Sequence, residues 1–223
     1  MSLNLLVTSK LVCVALNDKE QLAKLDAEFH DAPYKAPPKE PVLYYKPQNT
    51  WTVDGATIEW ARDFDNQPAP IMAVGGSLGV VFGKPTCRVS VDEALSYVKG
   101  FTVVGDYSLP EANYYRPDIK GKCLDQSAPV GPTIVATQEL PNPDQLTIDI
   151  SVNGELQSSF PMSRLLRNVA ELISTLSHIM TFQEGEVMAC GFVGDRVAVK
   201  PGDQVAITIE GVGTLNNTLE VPA

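Results

Sequence analysis

The stretch Gly75-Gly76-Ser77-Leu78-Gly79-Val80-Val81-Phe82-Gly83-Lys84 is an apolar run entered through glycines. A short apolar run between glycines is typical of a strand buried on both faces. The run also matches G-x-S-x-G, but a nucleophilic serine requires a strand before it and a helix after it. Here the strand follows Ser77, so we expect no serine hydrolase. The run is not a P-loop either, because its glycine spacing is one residue short and Pro85 replaces the required Ser or Thr.

The composition indicates an acidic globular protein, in which a polyanionic substrate would need a local basic pocket. The chain has 223 residues, 44% of them hydrophobic, and a formal charge of -10 at pH 7. That length fits one large domain, or a domain with a small cap. The negative charge argues against nucleic acid and against anionic membrane surfaces as partners.

Further compositional features predict a cytoplasmic location. No apolar run is long enough to span a bilayer, and Met1–Val7 lacks the basic region of a signal peptide. The four cysteines are scattered, so we expect reduced, buried thiols at Cys13, Cys87, Cys123 and Cys190. With two histidines and no paired cysteines, any metal would be a hard cation held by carboxylates.

Residues 1–50 are predicted to form a strand, a short helix and a proline-rich segment. Lys10–Leu16 is strand-like, and Lys19–Phe29 has the apolar spacing of a helix. Four prolines in residues 32–41 exclude helix and central strand, which predicts an ordered loop or a lid before a strand at Val42–Tyr45. We assign residues 51–223 to a core that forms one structural domain with this segment.

The core is predicted to be a β-rich α+β fold. Ser90-x-x-Glu93 predicts a helix that runs to about Lys99 and ends at Gly100. A broad apolar stripe predicts a long helix over 163–180. Asn153-Gly154 predicts a tight hairpin turn. We expect the strands Phe101–Val104, Leu146–Val152, Val187–Phe192 and Gln204–Ile209.

The region 105–125 is dense in chemically active residue types. Asp106 directly follows the predicted strand Phe101–Val104, where a strand end can aim a carboxylate into a cavity. Arg116 and nearby lysines supply the positive charge that a dicarboxylate requires. A solvated, charged loop without function explains the same composition, because loops are commonly polar and exposed.

Several segments resemble the fumarylacetoacetate hydrolase family. Tyr97–Ser108 resembles its segment Y-x-x-G-Y-T-x-x-N-D-x-S, and Leu43–Pro47 resembles its early F-x-K-P. Further similar segments, in the family's order, are 152–156, 170–181, 200–203 and 210–215. The resemblance spans nearly the whole chain. It implies a mixed β-roll like the family's C-terminal domain, with one long amphipathic helix.

A narrower resemblance is to the N-terminal half or subunit of the isomerase/decarboxylases of 4-hydroxyphenylacetate (homoprotocatechuate) degradation. It is carried by residues 14–17, 33–39, 46–50 and 115–123. It implies 2-hydroxyhepta-2,4-diene-1,7-dioate isomerase or 5-carboxymethyl-2-oxo-hex-3-ene-1,7-dioate decarboxylase activity on a small dicarboxylate. It also implies a homo-oligomer, or a hetero-oligomer with a metal-bearing homologue.

The resemblance implies roles for individual residues. In the family, Mg²⁺ or Mn²⁺ chelates a 2-oxo acid and stabilises its enolate. Asp106 matches the third metal carboxylate, and Lys122 and Asp125 match the substrate-binding lysine and the acid after it, our catalytic candidates. Arg116 is our candidate for binding a substrate carboxylate bidentately, with Tyr115 and Lys122 completing the substrate site.

The chain departs from the family pattern where the metal should bind. Gly75 and Ser77 stand in place of the family's two glutamates, and T-G-T-P appears as Cys190–Val193. His30 and Glu28 do not match the spacing of the catalytic His-Glu pair. With one carboxylate left, we expect a weak or absent metal site.

Three hypotheses remain open at this stage. The chain is an active subunit that works with a metal-bearing homologue, a catalytically silent partner that scaffolds such a homologue, or a metal-independent tautomerase that uses Lys122.

Overall fold

The computed structural model describes residues 9–62, 65, 67–111 and 113–221. Two mixed β-sheets make up most of the fold, which confirms the β-rich α+β prediction. The larger sheet contains β1 Leu11–Ala15, β2 Val42–Lys46, β3 Trp51–Thr52, β5 Met72–Phe82, β6 Val98–Ser108, β7 Ala128–Ala136, β10 Val187–Ala189 and β11 Val197–Val199. The smaller sheet contains β4 Thr57–Glu59, β8 Thr147–Val152, β9 Glu155–Pro161, β12 Gln204–Ile209 and β13 Gly213–Glu220.

The strand order places the N-terminal strands β1 and β2 at one edge of the larger sheet. The larger sheet runs β2-β1-β10-β5-β6-β7-β3, and β11 also pairs with β5. The smaller sheet runs β4-β13-β12-β8-β9. β1 lies parallel to β10, whereas β5 and β6 form a long antiparallel pair. The N-terminal strands therefore join the sheet that contains the glycine-rich strand.

β5 is buried along its whole length, as its sequence predicts. Its glycines let both faces be packed closely. A Cβ at Gly76 would lie 2.6 Å from Ile207 Cγ2 of the smaller sheet. On the opposite face, a Cβ at Gly75 would lie 2.9 Å from Phe192 Cδ1. The two sheets enclose the main hydrophobic core between them.

The first predicted helix is confirmed with its boundaries. α1 spans Lys19–Phe29, and Asp18 caps it by accepting a hydrogen bond from the Glu20 amide. The predicted helix over 163–180 is shorter than expected, because α3 spans Val169–Ile179. Asn168 is extended and forms a capping box with Glu171, so the helix begins there, after a separate 3₁₀ turn at Met162–Arg164.

The prediction of a helix from Ser90 to Lys99 is wrong. Only one 3₁₀ turn forms, at Ala94–Tyr97, and the Ser90 hydroxyl donates to the Glu93 carboxylate. Gly100 lies within β6, where a Cβ would stand 2.2 Å from the Val135 carbonyl oxygen. Gly100 therefore allows β7 to lie close to β6.

Other predicted features have mixed outcomes. Asn153 and Gly154 both have positive φ angles, of 53° and 82°, and join β8 to β9 as expected. All four cysteines are free, and Cys13 and Cys190 are buried, but Cys87 is exposed. Among the described residues, no helix is long and apolar enough to cross a membrane.

Candidate active site

Asp106 lies inside β6, two residues before its end. The prediction that the strand stops at Val104 is wrong, because the pairing with β5 continues to Ser108. A Cβ at Gly105 would lie 3.2 Å from Ile207 of the smaller sheet, so Asp106 faces the other way. Its carboxylate is fully buried. A buried carboxylate at this position requires partners from neighbouring elements.

Three cations surround the Asp106 carboxylate. Lys46 Nζ lies 2.6 Å from Oδ1, Arg196 Nη1 2.7 Å from Oδ2, and Lys122 Nζ 3.5 Å from Oδ2. The Tyr44 hydroxyl donates to Oδ2 at 2.6 Å. Burial alone would raise the pKa of Asp106, but Arg196, then Lys122 and Lys46, hold that pKa well below its usual range. The carboxylate is therefore ionised and forms ion pairs with all three cations.

Lys122 connects this cluster to a cleft. It ends the short helix α2, Ile119–Lys122, which Asp118 caps by accepting from the Gly121 amide at 2.9 Å. Its Nζ lies 3.4 Å from Glu111 Oε1 and 3.3 Å from Ser108 Oγ. Burial lowers the pKa of Lys122, and the attraction of Asp106 opposes this effect. Lys122 is thus a buried ammonium group with carboxylates on two sides.

The cleft above Lys122 has a volume of about 580 Å³. Its wall is largely aromatic and aliphatic, with few polar groups, as is usual for small-molecule sites. Three predicted site residues line it together: Tyr115, Arg116 and Lys122. The cleft is large enough for a small dicarboxylate.

Asp125, our second catalytic candidate, does not line this cleft. Its side chain is exposed, and Oδ1 accepts a hydrogen bond from Asn49 Nδ2 at 2.6 Å. The structure therefore brings Lys122, Arg116 and Tyr115 together and leaves Asp125 outside the group. A catalytic role for Asp125 stays a prediction.

The residues opposite Asp106 do not fit a divalent metal ion. Gly75 pairs directly with Asp106 across the strands, and Ser77 is buried with its Oγ accepting from the Gly191 amide. Phe192 and Arg196 fill the space beside Gly75. No group of three His, Cys, Asp or Glu side chains capable of holding a metal occurs among the described residues. One carboxylate that already pairs with three cations is a poor ligand set for Mg²⁺ or Mn²⁺.

The sequence reasoning did not identify three residues of the cluster: Tyr44, Lys46 and Arg196. Tyr44 and Lys46 lie in the segment that resembles the family's F-x-K-P, so a signal for them was present. Arg196 belongs to no motif. The only available signal was indirect: a buried Asp106 that binds no metal needs another cation as its partner.

Comparison with known proteins identifies the family. The family model "Fumarylacetoacetate (FAA) hydrolase C-terminal" matches residues 10–220. The Escherichia coli 4-hydroxyphenylacetate degradation bifunctional isomerase/decarboxylase is 36% identical over 207 residues, which are 93% of this chain and 46% of that protein. The chain thus spans about half the length of this curated relative.

Solved structures agree in fold. The 2-hydroxyhepta-2,4-diene-1,7-dioate isomerase from Mycobacterium marinum is 26% identical, with a TM-score of 0.78 over 98% of this chain and 77% of its own. Fumarylpyruvate hydrolase from Pseudomonas aeruginosa, solved with Mn²⁺ and pyruvate, shares the fold at 23% identity, with a TM-score of 0.77 over 97% and 91% of the two chains. The chain belongs to the fumarylacetoacetate hydrolase family.

Proposed function

We propose that this chain binds an unsaturated 2-oxo or 2-hydroxy dicarboxylate in the cleft and isomerises or decarboxylates it through a stabilised enolate. The observation that carries the proposal is the buried ammonium group of Lys122, which lines the cleft together with Arg116 and Tyr115. The relative from Escherichia coli and the isomerase from Mycobacterium marinum support this class of reaction, and the name of the former supports a role in 4-hydroxyphenylacetate catabolism.

The cluster around Asp106 gives the cleft a positive field in a protein of charge -10. Lys46, Lys122 and Arg196 bring three positive charges, and Asp106 and Glu111 bring two negative ones, which leaves one net positive charge. A carboxylate or an enolate entering the cleft therefore meets a complementary charge without a metal ion. Low polarity in the cleft strengthens this attraction.

Each cleft residue has a defined role in the proposed isomerisation. Arg116 binds one substrate carboxylate. Lys122 donates a hydrogen bond to the oxygen at carbon 2, where negative charge develops when the enol loses its proton. Glu111, 3.4 Å from Lys122, accepts the proton that the enol hydroxyl loses and returns it to the conjugated carbon chain. The product differs from the substrate only in the positions of one proton and the double bonds, so no oxidant or reductant is required.

The proline-rich segment is the proposed lid of this cleft. Tyr34 Oη accepts a hydrogen bond from the Tyr114 amide at 2.7 Å, and its ring packs edge-on against Tyr115. Residues 32–41 thereby contact the loop that carries Arg116. This contact supports a role for residues 1–50 in covering the substrate while the core binds it.

A catalytically silent scaffold for a metal-bearing homologue is the second candidate. It is favoured by the loss of the two glutamates and by the half-length match to a bifunctional relative. In that arrangement the chain stabilises its homologue as a hetero-oligomer, and the homologue carries out the reaction with Mg²⁺ or Mn²⁺.

The two candidates are separated by following the ultraviolet absorbance of 2-hydroxyhepta-2,4-diene-1,7-dioate. The chain is assayed alone in EDTA, and then with a homologous metal-bearing subunit. We expect turnover by the chain itself, reduced about 100-fold in Lys122→Met, because an oxyanion donor contributes that much. Asp92→Asn is the matched control and should retain activity, since its side chain is exposed and does not line the cleft.

Two outcomes contradict the enzymatic proposal. No turnover in either preparation would overturn it. Turnover only in the mixture, unchanged by Lys122→Met in this chain, would establish the scaffold role instead.

A further inference from the structure

We propose that the guanidinium of Arg196 is the built-in cation of this site, and that Arg196 and Gly75 act as a matched pair that replaces a divalent ion beside Asp106. Gly75 stands directly opposite Asp106 in the β5–β6 register. A Cβ added at Gly75 would lie 3.3 Å from Arg196 Nη1. The absence of a side chain at position 75 is therefore what makes room for the guanidinium.

The guanidinium is held from several directions. Nη1 donates to the Asp106 carbonyl at 3.1 Å and to Ser108 Oγ at 3.3 Å, besides its 2.7 Å ion pair with the carboxylate. Nη2 donates to Tyr44 Oη at 3.4 Å. Arg196 Cζ lies 4.9 Å from the centroid of the Phe192 ring. These contacts fix one orientation of the side chain, which is only 14% exposed.

Phe192 belongs to the same replacement. It stands in Cys190–Val193, where the family reads T-G-T-P, and its ring packs within 2.9 Å of the Cβ position at Gly75. A glutamate at position 75 would collide with this ring and with the guanidinium. Arg196 and Phe192 thus occupy, beside Gly75, the space that a metal and its carboxylate ligands require.

This assignment holds whether or not the cleft turns over a dicarboxylate, because it concerns the cation and not the reaction. Arg196 is a positioning residue that acts through Asp106. The site should therefore have a permanent positive charge that chelators cannot remove.

The first test compares charge and shape at position 196 by thermal unfolding. Arg196→Lys keeps the cation, whereas Arg196→Met keeps much of the length without it. We expect Arg196→Lys to unfold at a higher temperature than Arg196→Met. If Arg196→Lys folds and Arg196→Met does not, the conclusion is the same. Equal or higher stability of Arg196→Met would overturn the proposal.

The second test titrates Mn²⁺ and counts bound ions by electron paramagnetic resonance. We expect no stoichiometric Mn²⁺ in the unaltered chain at millimolar concentration. Two further variants both carry Gly75→Glu, Ser77→Glu and Phe192→Thr, and one of them also carries Arg196→Met. We expect Mn²⁺ to bind about tenfold tighter or more to the variant with Arg196→Met than to the one that retains Arg196. Stoichiometric Mn²⁺ in the unaltered chain that is lost in Asp106→Asn would overturn the proposal, and this result needs no redesigned variant.

Discussion

Asp18 and Asp106 are two buried carboxylates with different surroundings. Asp18 caps α1, accepts from the Gly194 amide at 3.1 Å, and binds Arg164 through two hydrogen bonds of 2.6 and 2.7 Å. Burial would raise its pKa, but Arg164 and the two amides lower it. Asp106 pairs instead with three cations and one tyrosine hydroxyl.

The difference separates a structural ion pair from a binding site. At Asp18 one cation pairs with two acids, because Arg164 Nη1 also lies 3.1 Å from Glu20 Oε2. This group therefore has no net positive charge. Around Asp106 and Glu111 the cations exceed the acids, and Lys122 lines the cleft. An excess of cations at a cleft favours an anionic ligand, whereas a satisfied cap favours only folding.

The largest effect is expected from Asp106→Asn. The change leaves Lys46, Lys122 and Arg196 buried together with Glu111, beside Lys122, as their remaining carboxylate partner, so like charges repel and remain desolvated. We expect a loss of about 3–5 kcal/mol in the free energy of unfolding, measured with urea. Asp125→Asn is the matched control, with an expected change of about 0.5 kcal/mol or less. Equal losses in both variants would remove the distinction between the cluster and the exposed acid.

Asp18→Ala should have the second-largest effect. It removes the cap of α1 and leaves Arg164 with only the exposed Glu20 as a carboxylate partner. We expect about 2 kcal/mol, since a cap alone contributes about 1 kcal/mol and hydrogen bonds to a charged group add to it. Because Asp18 does not line the cleft, dicarboxylate binding should stay unchanged. A loss of binding as large as that in Lys122→Met would contradict the comparison.

Arg116→Ala should weaken dicarboxylate binding with little change in stability. A charge-assisted hydrogen bond contributes about 1.5–3 kcal/mol, so we expect a Kd about tenfold higher or more by calorimetry. Arg88→Ala, which removes an exposed arginine outside the cleft lining, is the matched control. Unchanged affinity in Arg116→Ala would show that the substrate carboxylate binds elsewhere in the cleft.

The smallest effect is the pH dependence of the Asp18 contribution. The pKa of Asp18 is lowered in the folded protein, so its stabilisation is present above the unfolded pKa of about 3.9 and is lost as pH falls through the folded value. The stability difference between the unaltered chain and Asp18→Asn should therefore shrink as the pH falls from about 6, above the unfolded pKa, to about 3, below it. A difference that grows on acidification would contradict the sign of the shift.

The sequence predicted local elements well and long-range convergence poorly. Lys19–Phe29 and Gln204–Ile209 were predicted with their observed bounds, because spacing and turn residues are local signals. The helix start at Ser163 was wrong, since apolar periodicity continues through a 3₁₀ turn while the cap lies at Asn168. Periodicity identifies a face but not a boundary.

The candidate site was predicted only in its local part. Tyr115, Arg116 and Lys122 lie close together in sequence and share the cleft. Lys46 and Arg196 come from an edge strand and from the loop between β10 and β11, so only the sheet order brings them to Asp106. No pattern in the segment around Arg196 indicates this contact.

The most direct measurement is a calorimetric titration of the chain with 2-oxoadipate, a stable 2-oxo dicarboxylate, in EDTA and then in Mg²⁺. If the protein's own cations bind the ligand, we expect the same affinity in both buffers, a loss of affinity in Lys122→Met, and no loss in Asp92→Asn, an exposed residue that does not line the cleft. Binding that appears only with Mg²⁺ would contradict the account, because it would show that the cleft depends on a metal ion and not on its own cations.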